Sequence, residues 1–233
     1  MSEKRIGFLD TWRAAALLAM LVWHALFDLS AAGLLPDDLP EHPLMQLSRY
    51  AVAGSFIAIS GVCARLSKRP LRRGLIVSGA ALAVTGATYL FGAPVRWGIL
   101  HLLGACMLLY AAVGKRWEAL PGVYACGAAV AAFALTFFLP VSVRVDAPFL
   151  FPLGLRTAAF TSADYYPLLP WGALFFAAAA AAERLGDVPP EKKYRSAPRF
   201  FAWLSRRSLA VYLVHQPVLL ALAALWRYAA QGA

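Results

Sequence analysis

Charge is scarce in this chain, and acid is scarcer still. Only 15% of its 233 residues are charged, with 12 Asp and Glu against 22 Lys and Arg, whereas soluble domains carry roughly 25% charged residues. With 61% hydrophobic residues and a mean hydropathy of +0.63, the composition excludes an ordinary soluble domain. Cysteine is rare too. Cys63, Cys106 and Cys126 fall in apolar segments without CxxC or metal-ligand spacing, which argues against a disulfide scaffold or a metal cluster and leaves packing as their role. The chain has no glycine-rich phosphate loop and no serine elbow, so the mechanisms built on them have no support. The ten-residue alternation of outer-membrane strands is missing as well, which leaves an all-α bundle as the expected architecture.

What the chain has in abundance is long apolar runs. A helical span needs about 20 mostly apolar residues, and about seven segments qualify: 7–30, 44–65, 73–92, 97–114, 119–139, 166–183 and 207–229. No repeat, linker or low-complexity segment divides residues 1–233, so the expectation is a single polytopic transmembrane domain in the lipid bilayer. The N-terminal MSEKRIGFLD has a short basic start but no small-residue cleavage signal. It reads as a retained first span. The net charge of +10 sits in short loops, which points to topology and not to nucleic acid. With the N-terminus in the cytoplasm, about 16 Lys and Arg fall inside, Lys4, Lys192 and Lys193 among them, and about 4 fall outside. The C-terminus is then external.

The first span, RIGFLDTWRAAALLAMLVWHALFDLS, carries most of the chemistry. At 100° per residue Asp10, Arg13, His24 and Asp28 fall within a sector of about 60°. Ionisable groups at bilayer depth cost roughly 2.5 to 3.5 kcal/mol each, so this stripe is expected to turn towards protein or water. Asp10 and Arg13, one turn apart near the cytoplasmic end, read equally well as a helix-anchoring ion pair. His24 lies about 16 Å further along the axis, with Asp28 one turn beyond to orient or polarise the ring. A histidine merely satisfied by a neighbouring helix is the competing reading.

Polar features elsewhere are fewer. The loop PDDLPEH is acidic and external on this topology. Arg49 follows near the outer end of the second span, and the small residues of GSFIAISG suit close helix packing. FGAPVRWGILH brings Arg96, Trp97 and His101 to the start of the fourth span. The segment 140–165 is long enough to fold over the bundle mouth and ends in TSADYYPLLPW, where Asp164 and Tyr166 are placed to meet a polar ligand or to belong to an aromatic girdle. In the last span Tyr212 and His215 share a face, with Gln216 and the potentially kinking Pro217 beside them. His215 is expected about 10 Å from the cytoplasmic start of that helix, with His24 nearer the exterior.

Taken together, R-x-x-x-L-D-x-x-R-A-A-A with Met20, His24 and Asp28, then GSFIAISGV, VRWGILHLLG, DYYPLLPWGALF and RRSLAVYLVHQPVLL, resemble the catalytic-domain family of heparan-α-glucosaminide N-acetyltransferase. Arg13 and His24 also reproduce the Arg-x10-His pattern of the first helix in the neighbouring acyltransferase-3 family. The resemblance implies a transmembrane acyltransferase in the bacterial inner membrane, with cytosolic acyl-CoA, typically acetyl-CoA, as donor and a saccharide-type amine or hydroxyl as extracytoplasmic acceptor. It implies no metal. It makes Arg13 and His24 the first-helix catalytic pair, with His24 as base or acyl relay and Asp28 fixing its tautomer. Asp10, Arg49, Arg96, His101, Asp164, Tyr166, Tyr212, His215 and Gln216 are then the residues placed to contact substrate, and Arg13 with the basic inner loops would meet the CoA phosphates. The chain departs from the family in having fewer spans than its relatives usually have. That leaves a shorter core, a homo-oligomeric site and lost activity as open consequences. A transporter or binding protein using the same stripe without group transfer, or a structural subunit glued by it, are the other readings of these residues.

Overall fold

In α1, Gly7–Ala31, a run of Leu, Ala and Met without an internal glycine or proline extends for 25 residues. That is about 37 Å of helix, enough to cross a hydrocarbon core of about 30 Å. The helix stops in a Schellman turn. Gly33 adopts φ +74, and the amides of Gly33 and Leu34 reach back to the carbonyls of Ser30 and Leu29, each at 2.9 Å. The computed structural model describes residues 5–190 and 194–231, so Lys4, Lys192 and Lys193 lie outside the described residues.

The other helices are α2, Pro43–Arg65; α3, Pro70–Leu90; α4, Ile99–Glu118; α5, Gly122–Thr136; α6, Leu139–Ser142; α7, Leu168–Ala181; α8, Arg199–Arg206; and α9, Ser208–Gln231. Six helical stretches among the described residues are long and apolar enough to cross a membrane, α7 counting together with the 3-10 turn that extends it to Gly186. The protein is an integral membrane protein with an all-α, polytopic fold.

The expected fifth span is the exception. Its helix runs only from Gly122 to Thr136, 15 residues, or about 22 Å. Pro121 fixes its start, and Pro140 has no amide to bond the Thr136 carbonyl four residues back and crowds it with its ring, so the helix ends at Thr136 and the chain resumes as the four-residue α6 with Pro140 in its first turn. Prolines also delay α7, which begins at Leu168 behind Pro167 and not at the expected 166.

The contacts form two compact units. One comprises residues up to Phe56 together with those from Pro189 onward, and the other runs from Ile57 to Val188. In the first unit α1 packs against α8 and α9. Its core is Ala14, Leu17, Met20 and Leu204, surrounded by Leu18, Leu21, Val52, Phe56, Phe201, Val211 and Tyr212. The Trp23 indole donates to the Met45 carbonyl at 3.0 Å, tying α1 to α2. Pro217 lies inside α9, which continues through it.

In the second unit α3 pairs with α4, and α7 packs against α5 and α4. Here the small residues of GSFIAISG serve close approach, because Gly61 lies directly against the carbonyl of Phe175 on α7. Gly61→Ala would drive a methyl group into that backbone, and overpacking of this kind costs typically about 1–3 kcal/mol. Gly79 on α3 has open space around it, and there alanine gains roughly 0.5–1 kcal/mol of helix propensity. Thermal unfolding of the detergent-solubilised protein is expected to show a lowered Tm for Gly61→Ala and an unchanged or raised Tm for Gly79→Ala. Equal Tm values would refute the close contact.

Candidate functional site

The polar edge of α1 faces α8 and α9, and each of its four charged or titratable members meets a residue there or a ring beside it. At the N-terminal end Asp10, only 5% exposed, accepts from Arg5 Nε at 2.9 Å and Arg5 Nη2 at 2.5 Å. Ser205 of α8 donates its hydroxyl to the same carboxylate at 2.8 Å and accepts from Arg13 Nη1 at 3.3 Å. Two guanidiniums and a hydroxyl thus surround one buried carboxylate, which lets an apolar helix carry these charges. Asp10 is occupied by these partners. Ser205 went unnoticed in the sequence because RFFAWLSRR has the look of a basic loop, and the signal that would have found it is the apolar spacing of Phe201 and Leu204.

About three turns along α1, His24 meets His215. Their ring centroids are 4.7 Å apart and the planes cross at 80°, an edge-to-face contact. His24 Nδ1 lies 3.0 Å from the Met20 carbonyl, and His215 Nδ1 lies 2.5 Å from the Tyr212 carbonyl. A carbonyl only accepts, so both Nδ1 atoms carry hydrogen, and in the neutral rings both Nε2 atoms hold lone pairs. His215 is 8% exposed, and its Nε2 has no hydrogen-bond partner among the described residues. Trp23 packs beside His24 at 5.1 Å and Tyr212 beside His215 at 5.3 Å.

This arrangement corrects two expectations. His215 does not lie at a different depth from His24. The eight residues of α8 run along α1 first and lift α9 by about 12 Å, which brings the two rings level. Asp28 does not fix the tautomer of His24, because the ring bonds back to its own helix. The buried Asp28 carboxylate instead accepts from Gln216 Nε2 at 2.9 and 3.0 Å, and Gln216 Oε1 is left buried without a partner among the described residues.

The remaining predicted residues hold local structure. Arg49 stays on its own helix, with its guanidinium 4.8 Å from the Tyr50 ring centroid and Nη2 donating to the Tyr50 hydroxyl at 3.0 Å. In the second unit His101 has both nitrogens engaged. Nδ1 accepts from the Gly98 amide at 3.2 Å, so Nε2 carries the hydrogen and donates to Thr85 Oγ1 at 3.0 Å, while Thr85 donates to the Val95 carbonyl. Asp164 Oδ2 accepts the Ile99 amide at 3.0 Å and caps α4 beside it. Tyr166 is buried against Trp171, with its amide on the Trp97 carbonyl. Arg96 is exposed and lies 5.9 Å from the Phe160 ring. Among the described residues no group of three or more His, Cys, Asp or Glu could hold a metal ion.

Fold and site define a polytopic membrane protein with a histidine pair set in a polar seam inside one helical unit. Residues 5–217 match the family model described as heparan-alpha-glucosaminide N-acetyltransferase, catalytic, and the chain belongs to that family. Neither the curated proteins nor the solved structures contain a match to it.

The pairing of Asp28 with Gln216 is testable by a double-mutant cycle. Gln216→Leu leaves a buried carboxylate without its donor and is expected to cost about 1–3 kcal/mol in unfolding free energy. Asp28→Leu added to it is expected to recover part of the loss, and strictly additive losses would exclude the pairing.

Proposed function

We propose that the chain is a transmembrane acyltransferase of the bacterial inner membrane, moving an acyl group, typically acetyl, from cytosolic acyl-CoA to a saccharide-type acceptor on the far side. The observation that carries this reading is the His24–His215 pair, two imidazoles in edge-to-face contact, one with a buried Nε2 that has no partner among the described residues, inside a helical unit of a chain from an acetyltransferase family. An acceptor O–H or N–H gives its proton to Nε2 as its oxygen or nitrogen bonds to the thioester carbonyl carbon. The tetrahedral oxyanion then collapses, the C–S bond breaks, and the thiolate takes the proton from the imidazolium to leave as free CoA thiol. His24, the more accessible ring, is the base that meets the acceptor, and His215 supports it. In an edge-to-face pair the positive edge of a protonated ring rests on the electron-rich face of its neighbour.

The donor's approach is supported by a cavity of about 660 Å³ at the start of α1, lined by Gly7, Phe8, Thr11, Arg195, Pro198 and Arg199 among others. Arg195 and Arg199 are exposed there, whereas Arg13 is engaged with Ser205. We assign the phosphate contacts to these two arginines. About 25 Å of α1 separates Gly7 from His24, a span suited to the extended pantetheine arm of CoA. Positive charge at this end also fits a cytoplasmic N-terminus.

Two kinetic outcomes test the reading. In purified protein with acetyl-CoA and a glucosamine-type acceptor, His24→Ala is expected to lower kcat by about 10²–10⁴-fold with Tm preserved; wild-type turnover in that variant would remove His24 from the chemistry. Arg195→Ala with Arg199→Ala is expected to raise the KM for acetyl-CoA by roughly tenfold at low salt and by less at high salt, with kcat nearly unchanged. Flux of substrate into liposomes with no acetylated product would favour a transporter.

A further inference from the structure

The short helix α8 has two opposed faces. Phe201, Leu204 and Ser205 turn to α1, where Leu204 joins Ala14, Leu17 and Met20 and Ser205 reaches Asp10. At 100° per residue Trp203 and Arg206 lie about 180° from that inner face. Both are exposed, as are Phe200 and Arg207 beside them. The outer face is ordered by its own contacts. Phe200 and Trp203 stack with ring centroids 6.3 Å apart and planes at 19°, and the Arg207 guanidinium rests 4.8 Å from the Trp203 ring centroid. Contact with a ring face fixes a guanidinium while its N–H fork stays available for an acceptor.

The protein supplies no anion to this face. No Asp or Glu occurs after Glu191, and the ion pairs among the described residues, Arg5–Asp10 and Arg184–Asp187, include neither Arg206 nor Arg207. Asp10 meets α8 on the inner side, through Ser205, and is held by Arg5. Ser205 also sets the depth. Its partners Asp10 and Arg13 lie in the first two turns of α1, a helix that exceeds a hydrocarbon core of about 30 Å by only about 7 Å. The outer face of α8 therefore lies where hydrocarbon gives way to headgroups, and α9, which follows at Ser208, crosses the bilayer. At that level tryptophan rings sit among headgroups and arginines extend towards phosphate.

We infer that the outer face of α8 is a seat for an anionic phospholipid, with Arg206 and Arg207 on the headgroup phosphate and the Phe200–Trp203 stack against the lipid below it. Charge and depth together select this occupant. A soluble anion would match the two cations but leave two rings uncovered, at 54% and 44% exposure, and a lipid without net charge would cover the rings but leave the cations unmatched. The seat leaves out Arg195 and Arg199, which line the cavity at the start of α1, and it does not rest on the acyl-transfer reading.

Native mass spectrometry of the full-length protein tests this, using phosphatidylglycerol and phosphatidylethanolamine of equal chain length. Wild type is expected to retain phosphatidylglycerol in preference, and Arg206→Gln with Arg207→Gln to weaken that retention roughly tenfold. A control pair at the start of α3, Arg72→Gln with Arg73→Gln, is expected to leave it within about twofold. Trp203→Leu, which keeps every charge and removes the ring that Arg207 rests on, is expected to give a partial loss, and it serves alone if the double variant fails to fold. Equal retention of the two lipids by wild type, equal retention of phosphatidylglycerol by wild type and the Arg206, Arg207 variant, or an equal loss in the α3 control pair would overturn the seat. Displacement of the lipid by millimolar CoA would give these arginines to a soluble phosphate compound, and a wild-type dimer lost in the Trp203 variant would give the face to a second copy of the chain; either result would also overturn it.

Discussion

The fold of the first unit depends on burying the polar edge of α1 against α8 and α9. A span carrying Asp10, Arg13, His24 and Asp28 has no low-energy orientation towards lipid, and roughly 2.5 to 3.5 kcal/mol per exposed charge at bilayer depth is a strong vote for a protein partner. The partner is a second helical run with Ser205, His215 and Gln216 in step with that edge. The apolar contacts of Ala14, Leu17 and Met20 with Leu204 set the distance between the two runs. The polar contacts set their register, because a slip of one residue would rotate each polar group by 100° away from its partner. Orientation of the histidines follows from register, and the chemistry proposed for them follows from orientation.

The parts legible in the sequence are those that depend on one helix at a time. The angular coincidence of four polar residues marked the buried edge of α1, and hydropathy alone located six long spans with end points within a few residues of the observed ones. What was hidden depended on partners. α8 and the residue after it hold three arginines in nine residues and resemble a loop, yet Phe201 and Leu204 bury the inner side and Ser205 completes the carboxylate site. The i, i+4 spacing of His24 and Asp28 suggested a His–Asp pair, but spacing on one helix is silent about a glutamine on another that reaches both carboxylate oxygens. The fifth helix was overestimated for a simpler reason, since its composition is apolar throughout and only the backbone constraint at Pro140 shortens it.

Residues that looked equally functional in the sequence divide by what they leave unsatisfied. Asp164 and His101 carry chemistry-bearing groups, but their capacity is spent on the start of α4, where free amides need acceptors. Helix caps use the same side chains that active sites use, and only the hydrogen-bond inventory separates them. The family match extends from Arg5 to Pro217, so the whole seam from the Arg5–Asp10 pair to Gln216 lies within it.

The direction of each histidine's bond carries this distinction furthest. The chain has four histidines. His42 and His101 accept a backbone amide at Nδ1, from Leu44 and Gly98. That fixes the remaining proton on Nε2 in the neutral ring and makes the outward nitrogen a donor. His24 and His215 do the reverse, giving Nδ1–H to carbonyls one turn back on their own helices and presenting Nε2 as an acceptor. A base that must receive a proton from an incoming nucleophile needs the second tautomer. A carboxylate can impose that tautomer on a histidine; here the helix backbone does so without placing a charge in the membrane, and Asp28 binds Gln216 instead. Two such rings face each other at the one level where α1 and α9 both present a histidine, so the tautomer, the burial and the pairing that the proposed proton transfer requires all follow from helix geometry.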